Sequence, residues 1–148
     1  MSPESEVAEI VSSTHEGKGI ASTDGKKVFV KGAIIGEKVR YIRRKKRRNY
    51  DEAELIEIIK ASNSRIEPQC EFFNSCGGCS LQHLDIDEQR TLKENYLKES
   101  LIRIGSVKPK IWLNPIFDND KGSEWNYRRK ARLAVKYVKK KARVLVGF

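Results

Sequence analysis

Cys70, Cys76 and Cys79 fall within ten residues, and the chain of 148 residues contains no other cysteine. Their spacing, C-x5-C-x2-C within QCEFFNSCGGCSLQHL, lets three thiolates grip one metal centre. The paired Gly77 and Gly78 permit a tight turn that directs backbone amides at sulfur. An odd, clustered set of cysteines in a reducing compartment is better explained by metal than by a disulfide framework. Three thiolates complete neither a tetrahedral zinc site nor a four-cysteine iron–sulfur cluster, so a fourth ligand is required. His83, four residues after Cys79, would make a Cys3His zinc site. A cysteine beyond residue 148 would complete a cluster instead. An open iron serving substrate, as in radical enzymes, is disfavoured because those usually show C-x3-C-x2-C.

Two basic stretches supply the other chemistry. Arg43, Arg44, Lys45, Lys46, Arg47 and Arg48 are consecutive positive charges, expected in a connection between strands where they would track phosphates. Tyr41 and Tyr50 flank them as candidate stacking surfaces. Between Tyr127 and Val138 the residues alternate. Tyr127, Arg129, Ala131, Leu133, Val135 and Tyr137 share one set of positions, mostly apolar, while Arg128, Lys130, Arg132 and Lys136 stand on the other, as on a strand with two distinct faces. Residues 121–148 hold ten Lys and Arg against one acid, Glu124. His15 has no evident role.

The whole chain carries 30 Lys and Arg against 20 Asp and Glu, a formal charge of +10. That excess points to a polyanion, with nucleic acid the first candidate and an anionic membrane surface the second, because cations that meet phosphates release condensed counterions. Charged residues make up 34% of the chain and mean hydropathy is -0.60, which leaves no stretch apolar enough for a transmembrane helix. The start, MSPESEVAEIVSS, has acids where a secretory signal needs bases, so a cytoplasmic protein with no membrane partner, and a monomer, is expected.

The elements that must position these residues are mainly β with α. Five short strands are expected in the first sixty residues. Val7, Ile10 and Val11 mark one, and Asp24-Gly25 is a hairpin turn between Ile20-Ala21 and Val28-Phe29-Val30. Glu37 to Arg43 and Tyr50 to Lys60 follow, the second by its β-branched content. Such a set closes naturally into a small oligonucleotide-binding barrel. Residues 61–84 read as loop. A helix capped by Asp85 or Asp87 then carries Leu92, Tyr96, Leu101 and Ile104 on one face, and Gly105 and Pro109 stop it. Strands are expected over 111–117, 127–138 and 142–148, with turns at 118–122 and 139–141.

The order THEGKGIA, DGKKVFVKGAIIGEKV, then a basic run and DEAELIEI resembles the TRAM domain, a small RNA-binding β-barrel. PQCEFFNSCGGCSLQHL and WNYRRKARLAV are similar to the central domain of the RNA uracil-C5 methyltransferases, especially the bacterial enzymes acting on 23S ribosomal RNA. The resemblance implies a TRAM barrel over 1–61 and a partial α+β central domain over 62–148. It implies that Cys70, Cys76 and Cys79 are three of four ligands to a [4Fe-4S] cluster, with His83 a neighbour and the fourth ligand beyond residue 148. It also implies 23S rRNA as partner, held by residues 43–48 and by Arg128, Lys130 and Arg132. Members of the family continue into a domain that binds S-adenosylmethionine and carries the catalytic cysteine and base. An N-terminal fragment without catalytic residues is therefore expected. The alternative is a stand-alone RNA-binding module with a Cys3His zinc site.

Overall fold

The computed structural model describes residues 4–113 and 125–148. Within them the protein is mostly β with one α-helix. Six strands, β1 (Ser5–Glu9), β2 (Ser12–Ser13), β3 (Gly19–Thr23), β4 (Lys26–Lys31), β5 (Lys38–Lys46) and β6 (Tyr50–Lys60), make one sheet in the order β1-β5-β6-β4-β3-β2. All neighbours are antiparallel except β4 and β6. The expected barrel of five strands is corrected here: the sheet has six and is not closed as a continuous ladder. The stretch 5–13 divides into β1, paired with β5, and β2, paired with β3, so both sheet edges belong to one piece of chain. Between them the Ile10 N–H donates to the Glu37 carbonyl at 2.8 Å and the Val11 N–H to the Ile20 carbonyl at 3.0 Å.

The turn chemistry is as expected. Asp24 and Gly25 both take positive φ, 54° and 72°, the conformation a two-residue hairpin needs to match strand twist. Alternation along each strand then selects the interior: Ile10, Ala21, Val28, Val30, Val39, Tyr41 and Ala53 pack together with Ala33. In the first strand the inward phase runs through Glu6, Ala8 and Ile10, whereas Val7 and Val11 are exposed.

The same phase carries charge into one end of the sheet's interior. On β5 the inward series Val39, Tyr41 continues to Arg43, and on β6 it begins at Asp51. The Arg43 guanidinium donates to Glu6 at 2.7 and 2.8 Å and to Asp51 at 2.7 Å, and Lys26 donates to the other Asp51 oxygen at 2.6 Å. Tyr41 donates its hydroxyl proton to Glu6 at 3.1 Å, and Thr23 lies at 3.1 Å from the same hydroxyl. Hydrogen bonding from Lys26, then from Arg43, outweighs burial and holds the Asp51 carboxyl down at about 2. Burial pushes the Tyr41 phenol above its usual range.

The helix α1 (Ile86–Arg103) begins at Asp85, whose carboxylate accepts the Asp87 N–H at 2.9 Å. It ends at Ile104, and the left-handed residue beyond it is Ser106 (φ 52°) rather than Gly105. Leu92 packs on a small cluster of Ile34, Leu81 and Leu84, while Tyr96, Ile102 and Ile104 remain exposed. A hairpin of β7 (Ala134–Val138) and β8 (Arg143–Gly147) closes through a 3-10 turn at Lys139–Lys141. The long strand expected over 127–138 is thus confined to its last five residues. Ile111–Leu113 has no regular structure. The rest of the strand expected there, and the turn at 118–122, lie outside the described residues.

Replacing Arg43 by Ala leaves two carboxylates inside the sheet without their guanidinium. The expected cost is about 3 kcal/mol of unfolding free energy, read by urea denaturation. Lys45→Ala, which removes an exposed pair with Glu52, should leave the midpoint in place; equal effects of the two substitutions would refute the buried network.

Candidate nucleic-acid interface and cysteine loop

Residues 61–84 form the loop-rich segment that the sequence implies, and it is tied to the sheet at one point. The Glu37 side chain is fully buried. It accepts from Arg65 at 2.5 and 2.9 Å and from the Ile34 N–H at 3.0 Å, while Arg65 also donates to the Gly32 carbonyl at 2.7 Å. Burial would raise the Glu37 carboxyl, but Arg65 and the Ile34 amide outweigh it and hold it below the usual carboxylate range. Arg65 bridges to Leu84, the Ile66 N–H donates to the His83 carbonyl and the Asp85 N–H to the Ser64 carbonyl. Gly17 (φ 81°) contributes to the same junction: a Cβ there would stand 2.3 Å from Leu81.

Beyond this anchor the cysteines sit on successive turns, in which the Phe73 N–H donates to the Cys70 carbonyl and the Cys76 N–H to the Phe72 carbonyl. Cys70 and Cys76 are half-buried and Cys79 is exposed. The donor set suits a thiolate-bound centre, and the Gly78 N–H donates to the Cys76 sulfur at 3.4 Å, the kind of amide contact made to ligating sulfurs. The geometry is less closed. Among the described residues no three His, Cys, Asp or Glu side chains converge as a metal-holding group. His83 is buried, its two ring nitrogens have no hydrogen-bond partner among the described residues, and its ring lies 5.3 Å from that of Phe73.

The basic run is placed differently from expectation. Arg43 to Lys46 lie within β5, and the connection is only Arg47, Arg48 and Asn49. Ion pairs take up most of the charge: Arg43 with Glu6 and Asp51, Arg44 with Glu54 at 2.8 Å, Lys45 with Glu52 at 3.6 Å and Arg47 with Glu52 at 4.0 Å. Lys46 and Arg48 are exposed and carry no ion pair among the described residues. A register shift between Arg43 and Lys45 leaves Arg44 without a cross-strand partner in the ladder between β5 and β6. Tyr41, fully buried, is not a stacking surface. Tyr50 is partly exposed, and Phe29 meets it edge-to-face at 5.2 Å. Phe29 points outward between the inward Val28 and Val30 and lines a depression of about 270 Å³ with Lys18, Lys31 and Arg44. The sequence reading missed Phe29; the signal was an aromatic out of phase with the core positions of its own strand.

The second basic region is much less neutralised. Residues 125–148 hold nine Lys and Arg and no acid. Arg128, Lys130 and Arg132 are exposed on an extended stretch ahead of β7 and make no ion pair among the described residues. Val135, Tyr137, Val144 and Val146 of the hairpin are exposed as well, so the expected apolar face has nothing packed on it here.

Comparison with known proteins now bears on these surfaces. The chain is 47% identical over 148 residues to a 23S rRNA (uracil(1939)-C(5))-methyltransferase RlmD of Nitrosococcus oceani, covering 100% of this chain and 32% of that protein. It is 48% identical over 142 residues to the protein of the same name from Aromatoleum aromaticum, again covering 32% of it. A Legionella pneumophila protein of that name is 40% identical over 144 residues. The chain is homologous, along its whole length, to part of the RNA uracil-C5 methyltransferases. It spans about a third of the length of these methyltransferase relatives. No family model matches it.

The buried His83 makes the anchor of the cysteine loop sensitive to acid. Burial, reinforced by the positive charge of Arg65 and partly opposed by Glu37, pushes its imidazole down to about 4. The unfolded chain takes up that proton near pH 6.5. Stability is therefore intact above this value and falls as pH drops from 6.5 towards 4, by about 3 kcal/mol in all. Denaturation of His83→Leu across this range should show a flatter dependence than the unsubstituted protein; identical slopes would rule the effect out.

Proposed function

We propose that this chain is the RNA-holding portion of an S-adenosylmethionine-dependent enzyme that makes 5-methyluridine in 23S rRNA. Residues 1–61 are its TRAM-type, OB-like unit and residues 62–148 part of its central domain. The observation that carries this reading is the uncompensated charge of residues 125–148, nine cations with no acid, on a chain whose relatives are named as 23S rRNA methyltransferases. Arg128, Lys130 and Arg132 would hold phosphates. On the six-stranded sheet the role falls chiefly to Lys46 and Arg48, with Arg44, Lys45 and Arg47 free to exchange their exposed carboxylate partners for phosphate. Arg43 would act by holding the strand that presents them.

Methylation at uracil C5 needs the base out of its stack, so a surface that grips opened RNA is what such a reaction requires. The 148 residues contain no glycine-rich turn between a strand and a helix, and all three cysteines lie in one loop; we assign methyl transfer to sequence outside them. RNA rather than a membrane is the polyanion, and no helix among the described residues is long and apolar enough to cross one. We place the protein in the cytoplasm, as a monomer.

Cys70, Cys76 and Cys79 are assigned as three ligands of a [4Fe-4S] cluster whose fourth lies outside residues 1–148. The cluster would brace residues 61–84, and binding it requires the loop to tighten around the three sulfurs. Anaerobically purified full-length protein should be brown, with about four iron per chain, and Cys76→Ala should lose that iron. A colourless protein with one zinc would favour Cys70, Cys76, Cys79 and His83 as ligands instead, a reading favoured by the unpartnered nitrogens of His83.

RNA affinity should fall steeply with salt. Replacing Arg128, Lys130 and Arg132 together by Ala should weaken binding of a 23S rRNA fragment and reduce the log–log salt slope by about two, at ~0.7 per phosphate contact on single strands. An unchanged slope and affinity would remove these residues from the interface.

A further inference from the structure

A groove of about 690 Å³ opens where five stretches of chain meet: the turn carrying His15, the cysteine loop, the start of α1, residues 125–128, and Phe148. Its volume falls within the roughly 300–1,000 Å³ of small-molecule-sized sites. Its walls combine flat rings with unneutralised charge. Trp125, Tyr127 and Phe148 line it and are all substantially exposed. His15 is held in place by stacking on Tyr96, 4.5 Å between centroids.

The two tryptophans make an instructive contrast. Trp112 donates its indole N–H to Glu94 at 2.8 Å and lies under the Lys98 ammonium. Trp125 has no hydrogen bond and no ring partner among the described residues. Of the polar lining, Gln82, Asp85 and Gln89 are committed to hydrogen bonds within the chain, and the remainder is unengaged among the described residues. Gln69 and Asn126 line the groove with side-chain amides that bond nothing among the described residues, and Lys93 and Arg128 line it without an ion pair. Arg128 lies over the Tyr127 ring at 5.9 Å.

Exposed rings, free amide donors and acceptors, and cations are the three things an unstacked nucleotide needs: a face to stack on, partners for its base edge, and a countercharge for its phosphate. A duplex offers none of its base faces to such a groove. We propose that this groove is a binding site for one splayed-out nucleotide of single-stranded RNA. Its base lies against Trp125 and Tyr127, its edge meets Gln69 and Asn126, and its phosphate meets Arg128 and Lys93. The proposal rests on the RNA-holding role and adds to it a base-binding position distinct from backbone tracking.

Trp125 reports on its own site. In full-length protein carrying Trp112→Phe and other tryptophans outside residues 1–148 replaced by Phe, the Trp125 fluorescence should be quenched by a single-stranded RNA. The same strand made abasic should bind without quenching. Trp125→Ala should weaken binding of the intact strand about tenfold, within the range of base–aromatic stacking, and leave the salt slope unchanged. Trp125→Phe should retain most of the affinity, and circular dichroism should show both variants folded. Salt-dependent RNA binding with no fluorescence change, and with Trp125→Ala within twofold of the parent, would overturn the base site while leaving the RNA-holding role standing. Equal quenching by intact and abasic strands would overturn it too, since the contact would then be to backbone. Failure to bind any RNA would overturn both readings.

Discussion

The ion pair between Glu37 and Arg65 joins the two halves of this protein. A carboxylate with no solvent exposure is tolerable only when its charge is matched and its lone pairs are occupied. Arg65 and the Ile34 amide do both. Because Arg65 opens the cysteine segment and pairs with Leu84 at the other end of it, the requirement to neutralise one buried glutamate sets where that segment leaves and rejoins the sheet. The helix start at Asp85 and the turn that carries His15 are positioned from the same junction, and so, through them, is the groove beside Trp125.

A second buried network has the opposite consequence, withdrawing charge from the surface. Arg43, Asp51, Lys26 and Glu6 meet inside one end of the sheet, so the first residue of the basic run became part of the interior. The neighbouring cations pair with Glu52 and Glu54 of the adjacent strand. What six consecutive bases promise as a phosphate-tracking loop is therefore a partly neutralised strand with two unpaired cations near its tip. Exposed ion pairs in water are worth little, so phosphate can compete for the outer ones but not for Arg43. The region after residue 125, with no acids, presents the stronger field to an anion.

Much of the fold was legible in the residues. The Asp24-Gly25 turn, strand β6, the Asp85 cap and the hairpin at 139–141 follow from local chemistry: positive φ, β-branching, an orphan N–H. Where the reading went astray, the deciding contact was remote. Val7, Ile10 and Val11 mark a strand without fixing its phase, and the register with β5 turns Glu6 and Ala8 inward and leaves Val7 exposed. Tyr41 was as good a stacking candidate as Tyr50 until Glu6 and Thr23, distant in sequence, enclosed its hydroxyl. Residues 127–133 alternate as a strand would, yet a strand also needs a neighbour to pair with, and only 134–138 have one.

The sequence by itself determined the chemical inventory. It supplied three soft ligands in one loop, a surplus of cations in two places, the turn and cap residues, and a kinship that spans the whole chain. These depend on residue type and near-neighbour spacing, which the linear order states directly. Tertiary structure decided which of those groups are still available. It buried Arg43, Tyr41 and His83, left Phe29 half-covered and Trp125 exposed, and gathered five stretches of the chain into one groove. Burial and pairing are set by what arrives from elsewhere in the chain, and the cost of leaving a charge or a polar atom unmatched in the interior selects among those arrivals.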